Sequence, residues 1–357
     1  MIRLKAGNLW KHEFLNRVIE LNRMYEDKDV QITSLYGSLH NFTASARCDS
    51  RVPSYDIDYV RDYVRKAKKN NINIRWTLNE SCIGSMQDFE SCVWPEYYNT
   101  IRTLWDIGIH EYTVASPLLA TLLNSILPSP ADRFIEISTI AEVSSVAELD
   151  RWLDLGVNGV NVSIMINRDL TTLYDIFKYS NRHNIEVTLL ANEACLWKCP
   201  YRRECYNLSS HNSDIGPFRN YPFNRCNVER IVNPSEWIKA RMILPQWMKR
   251  YESDIGIHNF KVTGRTSSMD IIIPILVAYM EGDYKGNLLD LWPTIAPIAD
   301  TIEPKDSAFI SCKALDEMYL YEHFISSGYL CASKDCEVCG YCEAVYNAAS
   351  QPVKTDE

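Results

Sequence analysis

The stretch ANEACLWKCPYRREC places Cys195, Cys199 and Cys205 within eleven residues, directly after an apolar run that reads as a β-strand. Thiolates are soft ligands suited to iron–sulfur clusters or zinc, and several on one short loop lower the entropy cost of assembling a site. Together with Cys226, the C-x3-C-x5-C spacing offers four sulfurs. It lacks the paired C-x2-C knuckles of a zinc ribbon, which favours a cluster over zinc. Lys198, Arg202 and Arg203 stand among the thiols, where positive charge would stabilise thiolates and a negatively charged cluster. Burial as small hydrophobes accounts well for Cys48 or Cys92 but poorly for three thiols in one polar loop.

A second group, CASKDCEVCGYC, spaces Cys331, Cys336, Cys339 and Cys342 as C-x4-C-x2-C-x2-C. Its C-x2-C-x2-C core is that of a ferredoxin run, but Tyr346 and Asn347 occupy the region of the usual fourth Cys-Pro, so Cys331 or Cys312 must complete a ligand set. Zinc is the rival here, because small terminal knuckles are often structural staples. Since each group already supplies four sulfurs, two separate metal centres are expected, the tail holding a second iron–sulfur cluster or zinc.

Other chemistries find little support. His-Glu pairs begin at His12 and His110, but Asn16 and Val114 stand where the second histidine of a zinc-protease helix would be. There is no G-x-S-x-G elbow, no C-x3-C-x2-C loop after Cys195, where Arg202 takes the third place, and no glycine-rich phosphate loop. A Cys–His dyad between distant residues stays open.

The elements that must position these residues alternate between short β-branched runs and helix-period segments, the pattern of parallel strands with crossover helices. Eight strands are predicted: IRLKA from Ile2, VQITSLYG from Val30, INIRWTL from Ile72, HEYTVAS from His110, FIEIST from Phe134, GVNVSIM from Gly159, IEVTLLA from Ile185 and NFKVTG from Asn259. Amphipathic segments such as DIDYVRDYVRKAKKNN lie between them, as does SVAELDRWLDLG, with a serine cap and closing Gly156. The expected fold is α/β, a TIM-type (β/α)8 barrel over residues 1–282. It carries a long cysteine-bearing insertion after the seventh strand, residues 192–257, and a cysteine-rich C-terminal extension, residues 283–357.

In such a barrel the loops at the strand carboxyl ends build the site. Position alone nominates Asn8, Tyr36, Gly37, Asn79, Glu80, Ser116, Thr139, Asn167, Asn192, Glu193, Gly264 and Arg265, although strand ends are also rich in turn formers. Of these, Asn79, Ser116, Thr139, Asn192 and Arg265 are expected around one cavity. Glu80, Glu193 and Arg265 are the candidates for substrate chemistry: carboxylates move protons, and a guanidinium holds an anionic group in a bidentate fork. A structural ion pair is the alternative role for each.

The 357 residues, 46% hydrophobic, suffice for one large core with an appendage. The start MIRLKAGNLWKHEF has no apolar core with a small-residue cleavage site, so the twelve cysteines are expected reduced in the cytoplasm. The longest apolar run, MDIIIPILVAYM, is too short to cross a bilayer and contains Pro274, so no membrane span is expected. With 37 Lys+Arg against 46 Asp+Glu, the net charge of -9 argues against nucleic acid as a partner. A small molecule or peptide is the preferred substrate.

Taken together, the opening AGN, the helix and strand YVRDYVRKAKKNNINIRWTLNE leading to Asn79, the IEIST strand, the cysteine loop and FKVTGRTSSMDIIIPILVAYMEGD resemble peptidase family U32, the collagenase-like proteases. In the last segment Lys261, Gly264 and Arg265 match the family's K-I-E-G-R stretch, with Val262 and Thr263 replacing its middle pair. The better-understood members are iron–sulfur proteins that support oxygen-independent hydroxylation. The resemblance therefore implies a 4Fe-4S cluster held by four cysteines, with Cys195 first among them. The chain departs from the family loop: Cys199 and Cys205 bracket the place of its second cysteine, Asn207 stands near its serine, and Cys82 beside Glu80 could intrude as a ligand. On this basis Cys195, Cys199, Cys205 and Cys226 are expected to hold the cluster. The leading functional expectation is an iron–sulfur oxidoreductase carrying out hydroxylation or related redox tailoring. The alternatives are a U32-type peptidase and a metal-binding accessory subunit that serves a redox partner.

Overall fold

The structure is a computed structural model and describes residues 1–40, 53–83, 94–128, 130–210, 221–293, 308–326 and 331–350. Cys48 and Cys92 lie outside the described residues. All eight expected strands form: β1 (Ile2–Gly7), β2 (Val30–Gly37), β3 (Asn73–Leu78), β4 (Glu111–Val114), β5 (Phe134–Ile137), β6 (Gly159–Asn161), β7 (Glu186–Leu190) and β8 (Asn259–Val262). Each pairs in parallel with the next, and β8 returns to β1 through Arg3↔Asn259 to Ala6↔Val262, closing a TIM-type (β/α)8 barrel.

The outer helices are α1 (His12–Met24), α2 (Ile57–Lys69), α3 (Trp94–Asp106), α4 (Pro117–Ile126), α5 (Val146–Leu153) and α6 (Leu170–Arg182). Local chemistry accounts for their ends. Asp56 caps α2 by accepting from Tyr59 N, and Ser145 caps α5 by accepting from Glu148 N. Val60, Tyr63, Val64 and Ala67 form the buried stripe of α2, at three- and four-residue spacing. The stretch between β7 and β8 folds as α7 (Arg202–Ser210), α8 (Tyr221–Val232), α9 (Glu236–Lys239) and α10 (Met248–Ile255), and α11 (Met269–Glu281) completes the ring. Among the described residues no helix is long and apolar enough to cross a membrane.

The C-terminal residues fold as α12 (Cys312–Glu317), α13 (Leu320–Ser326), α14 (Cys336–Cys339) and α15 (Tyr341–Ala349). Ile310, Leu315, Leu320, Phe324 and Val345 join the same apolar cluster as the barrel helices. Polar ties fix the dock: Trp247 Nε1 donates to Asp316 at 2.9 Å, and Arg250 pairs with Glu322 at 2.6 Å. Cys312 is wholly buried in that cluster and behaves as a core thiol, which leaves Cys331 with the tail group.

The barrel interior departs from the usual layers of branched apolar side chains. Glu136, fully buried on β5, accepts from Lys5 Nζ and, at 2.6 Å, from Arg75 Nη1, with Thr113 Oγ1 on its other oxygen at 3.2 Å. Lys5 also reaches Glu186 at 2.5 Å and Thr188 at 2.6 Å, and Arg75 grips Glu111 through Nε and Nη2. Burial alone would raise the Glu136 carboxyl, but Arg75, Lys5 and Lys261 hold it well below the usual carboxylate range. Glu136→Gln therefore leaves two buried cations short of their shared anion, and should cost about 3–5 kcal/mol in chemical unfolding. A loss below about 1 kcal/mol would mean that Glu111 and Glu186 suffice.

Candidate functional site

A cavity of about 90 Å³ opens at the carboxyl ends of the strands. Tyr36, Asn79, Ser138, Thr139, Glu193, Lys261, Thr263 and Arg265 line it, so residues from five different strand ends converge as barrel topology requires. Arg265 Nη1 donates to Thr77 Oγ1 at 2.7 Å, which orients the guanidinium across the mouth. Lys261 Nζ lies 3.9 Å from the centre of the Tyr36 ring, whose hydroxyl donates to the Val262 carbonyl at 3.0 Å. Burial lowers Lys261 to about 7, since the attraction of Glu136 is opposed by Lys5, Arg75 and Arg265. This amine is poised to exchange a proton near neutrality.

Arg265 is placed by a close approach at the barrel seam. A Cβ on Gly7 would come within 2.5 Å of the Arg265 backbone nitrogen, so the end of β1 can touch the turn after β8 only as glycine. Gly264 adopts φ +139°, a conformation that side chains rarely tolerate.

The thiol loop lies directly behind this cavity. Cys195 Sγ donates to Glu193 Oε1 at 3.7 Å, and Cys195 packs with Trp197 against Ile164, Met165 and Leu190. Burial pushes the Cys195 thiol well above its ordinary range, with Glu193 and Cys205 adding to the rise and Arg202 opposing it. Burial likewise raises Cys199, and Cys226 is near enough to contribute. Two arginines flank these thiols. Arg202 pairs with Glu142 through Nε at 2.6 Å while both of its terminal nitrogens find no acceptor, and Arg230, stacked on Trp237 and Trp292, leaves Nε without one. Among the described residues no three His, Cys, Asp or Glu side chains already form a metal cage, so the four thiols are neighbours and not a preformed site. A soft donor set beside unpaired guanidinium nitrogens suits a thiolate-bound, negatively charged group.

The tail thiols gather elsewhere. Cys331, Cys336, Cys339 and Cys342 all line one cleft of about 440 Å³ between the α8–α9 segment and α14–α15.

Several strand-end residues turn out to be structural. Asn8 Oδ1 accepts from Trp10 N and the Tyr63 hydroxyl. Asn167 Nδ2 donates to the Leu190 and Arg241 carbonyls. Asn192 joins Thr263 to the Leu291 carbonyl, and Ser116 precedes Pro117 at the start of α4; neither lines the cavity where both were expected. Side-chain amides saturate carbonyls and amides at strand ends, and that duty takes Asn8, Asn167 and Asn192 out of reach. Of the catalytic candidates, Glu193 and Arg265 meet at the cavity, and Glu80 does not line it. Glu80 is buried beyond β3, its Oε1 has no hydrogen-bond partner, and burial raises its carboxyl to about 8. Strand-end position did not nominate Lys261, Tyr206 or Ser209, although the resemblance to the K-I-E-G-R stretch had named Lys261. The signal for Lys261 was a lone cation within an apolar strand, NFKV.

No family model matches the chain. It is 27% identical over 282 residues to an uncharacterized protease, MJ1657, of Methanocaldococcus jannaschii, a match that spans 78% of this chain and 79% of the relative. Among solved structures, the U32 peptidase Mk0906 is 20% identical over 62% of this chain and 83% of its own, at a TM-score of 0.47. The chain is similar to the U32 peptidases. The citrate synthase SbnG aligns with 78% of this chain and 91% of its own, at 7% identity and a TM-score of 0.35.

The raised carboxyl of Glu80 carries a signed consequence. In the fold it holds its proton up to about pH 8, whereas the unfolded chain releases it near 4.5. Between those values the folded state binds more protons, so its stability falls as pH rises, by at most about 1.4 kcal/mol per pH unit from this group. Glu80→Gln should flatten that decline in urea-unfolding midpoints measured from pH 5 to 8. An undiminished slope in the variant would place its source elsewhere.

Proposed function

We propose that the chain is a U32-like barrel enzyme that performs iron–sulfur-dependent redox tailoring, such as hydroxylation, of a small molecule or peptide bearing an acidic group. The observation that carries this reading is that Glu193 belongs both to the cavity wall and to the hydrogen bond with Cys195, so the thiol loop abuts the substrate space. A cavity of about 90 Å³ admits the end of a substrate and not a whole drug-sized ligand, which takes roughly 300–1,000 Å³. Arg265 would hold the acidic end in a charge-assisted fork, steadied by Thr77. Lys261 would give or take a proton at Nζ, and Tyr36 beneath it would limit its approach to one face. Bound to Cys195, Cys199, Cys205 and Cys226, an iron–sulfur cluster would supply electron transfer or a Lewis-acidic iron. Glu193 would accept the proton that Cys195 releases on becoming a ligand.

A peptidase is the second reading, favoured by the name of the M. jannaschii relative. The residues lining the cavity include neither a histidine nor a cysteine, so a Ser–His or Cys–His pair has no place there among the described residues.

Purification without oxygen separates the two. The first reading expects a brown protein whose iron and sulfide fall by about four each per chain when Cys195 and Cys199 become Ala. A colourless preparation that cleaves denatured collagen equally well with and without those thiols supports the second. In the metallated protein, Arg265→Lys should weaken binding of the acidic substrate about ten- to a hundredfold, since one charge-assisted hydrogen bond contributes roughly 1.5–3 kcal/mol.

A further inference from the structure

The four tail thiols share a cleft of their own. Asp335 caps α14 by accepting from Glu337 N and Val338 N, and Gly340, at φ 59°, turns the chain directly into α15. This one-turn helix and the turn after it bring Cys336, Cys339 and Cys342 to the cleft that Cys331 also lines. Tyr341 anchors the segment by stacking on His323 at 3.7 Å.

Two buried cations lie behind the wall of this cleft. Arg168 and Arg241 are 7% and 3% exposed, and Phe324, part of the cleft wall, lies 5.4 and 5.8 Å from their guanidinium carbons. Arg168 Nη1 donates to the Ile238 carbonyl at 2.6 Å, and its Nε has no acceptor. Arg241 leaves Nε and Nη1 without acceptors, and its guanidinium lies 3.7 Å from the Trp197 ring. Neither forms an ion pair among the described residues. Two adjacent buried cations with no carboxylate are costly, and arrangements of this kind persist where an anion completes them. Burial raises the Cys342 thiol, and Arg168 and Arg241 are both near enough to oppose that rise.

We propose that Cys331, Cys336, Cys339 and Cys342 hold an iron–sulfur cluster in this cleft, with Arg168 and Arg241 as its buried counter-cations. Ligation removes the thiol protons and so places negative charge opposite both guanidiniums. The C-x2-C-x2-C run of Cys336, Cys339 and Cys342 is the spacing of a ferredoxin loop, whereas a zinc ribbon pairs two separate C-x2-C knuckles. Cys336 and Cys339 are exposed, so α14 can move inward without breaking packed core. The proposal stands apart from the Cys195 loop, although Trp197 of that loop covers Arg241.

The test uses the full chain, purified and reconstituted without oxygen. Changing exposed Cys336 and Cys339 together to Ser should remove about four iron and four sulfide per chain and leave the thermal unfolding of the barrel intact. The Cys195/Cys199 variant reports separately on the loop, so loss there without loss at the tail, or the reverse, assigns each centre independently. Unchanged iron and sulfide in the tail variant overturns the proposal, as does loss of one zinc in place of iron. Arg241→Met keeps the packing on Trp197 and deletes the charge, and should move the tail cluster's reduction potential to more negative values in a potentiometric titration followed by electron paramagnetic resonance. An unmoved potential removes Arg241 from the site.

Discussion

The carboxylate of Glu136 is the hub on which the barrel depends. Three cations from three strands, Lys5, Arg75 and Lys261, are drawn toward one buried anion, and Glu111 and Glu186 close the ring of charge around the first two. An interior built this way is stiff, because each ion is held by partners it cannot leave without an uncompensated charge. The distribution is also uneven. Lys5 and Arg75 are satisfied through direct contact, whereas Lys261 feels Glu136 only at a distance and rests on the face of Tyr36. The amine left over from the interior is the one that emerges at the mouth.

Guanidiniums are handled differently outside the barrel. Arg75 is sheathed in carboxylates, but Arg168, Arg230 and Arg241 are buried against aromatic rings and backbone carbonyls instead. Aromatic faces accept a cation without neutralising it. The protein thus places buried positive charge near both thiol groups, which opposes the rise that burial imposes on Cys195, Cys199 and Cys342 without reversing it.

Much of the fold could be read from the residues. Period-2 and apolar runs marked all eight strands within a few residues, because parallel barrel strands are short, buried and bounded by turn formers. The capping of α5 by Ser145 followed from its type and place. The site was harder. Asn8, Asn167 and Asn192 share composition and position with true mouth residues, and only the fold reveals which amides are already spent on backbone groups. Glu80 looked like its neighbour candidates but is buried outside the cavity wall, since a strand end permits either face. The pairing of Arg168 with Arg241 joins residues distant in sequence, and no local pattern announces it.

The contact between Gly7 and the Arg265 backbone joins the first strand of the barrel to the turn after the last. A cylinder of strands has one seam where its beginning meets its end, and here Arg265, which lines the cavity, is seated on that seam. The diameter of the mouth is therefore set by an absent methyl group as much as by any side chain present. Drift at position 7 would act on the chemistry like a shim in a bearing, shifting Arg265 relative to Lys261 while leaving every residue of the cavity unchanged.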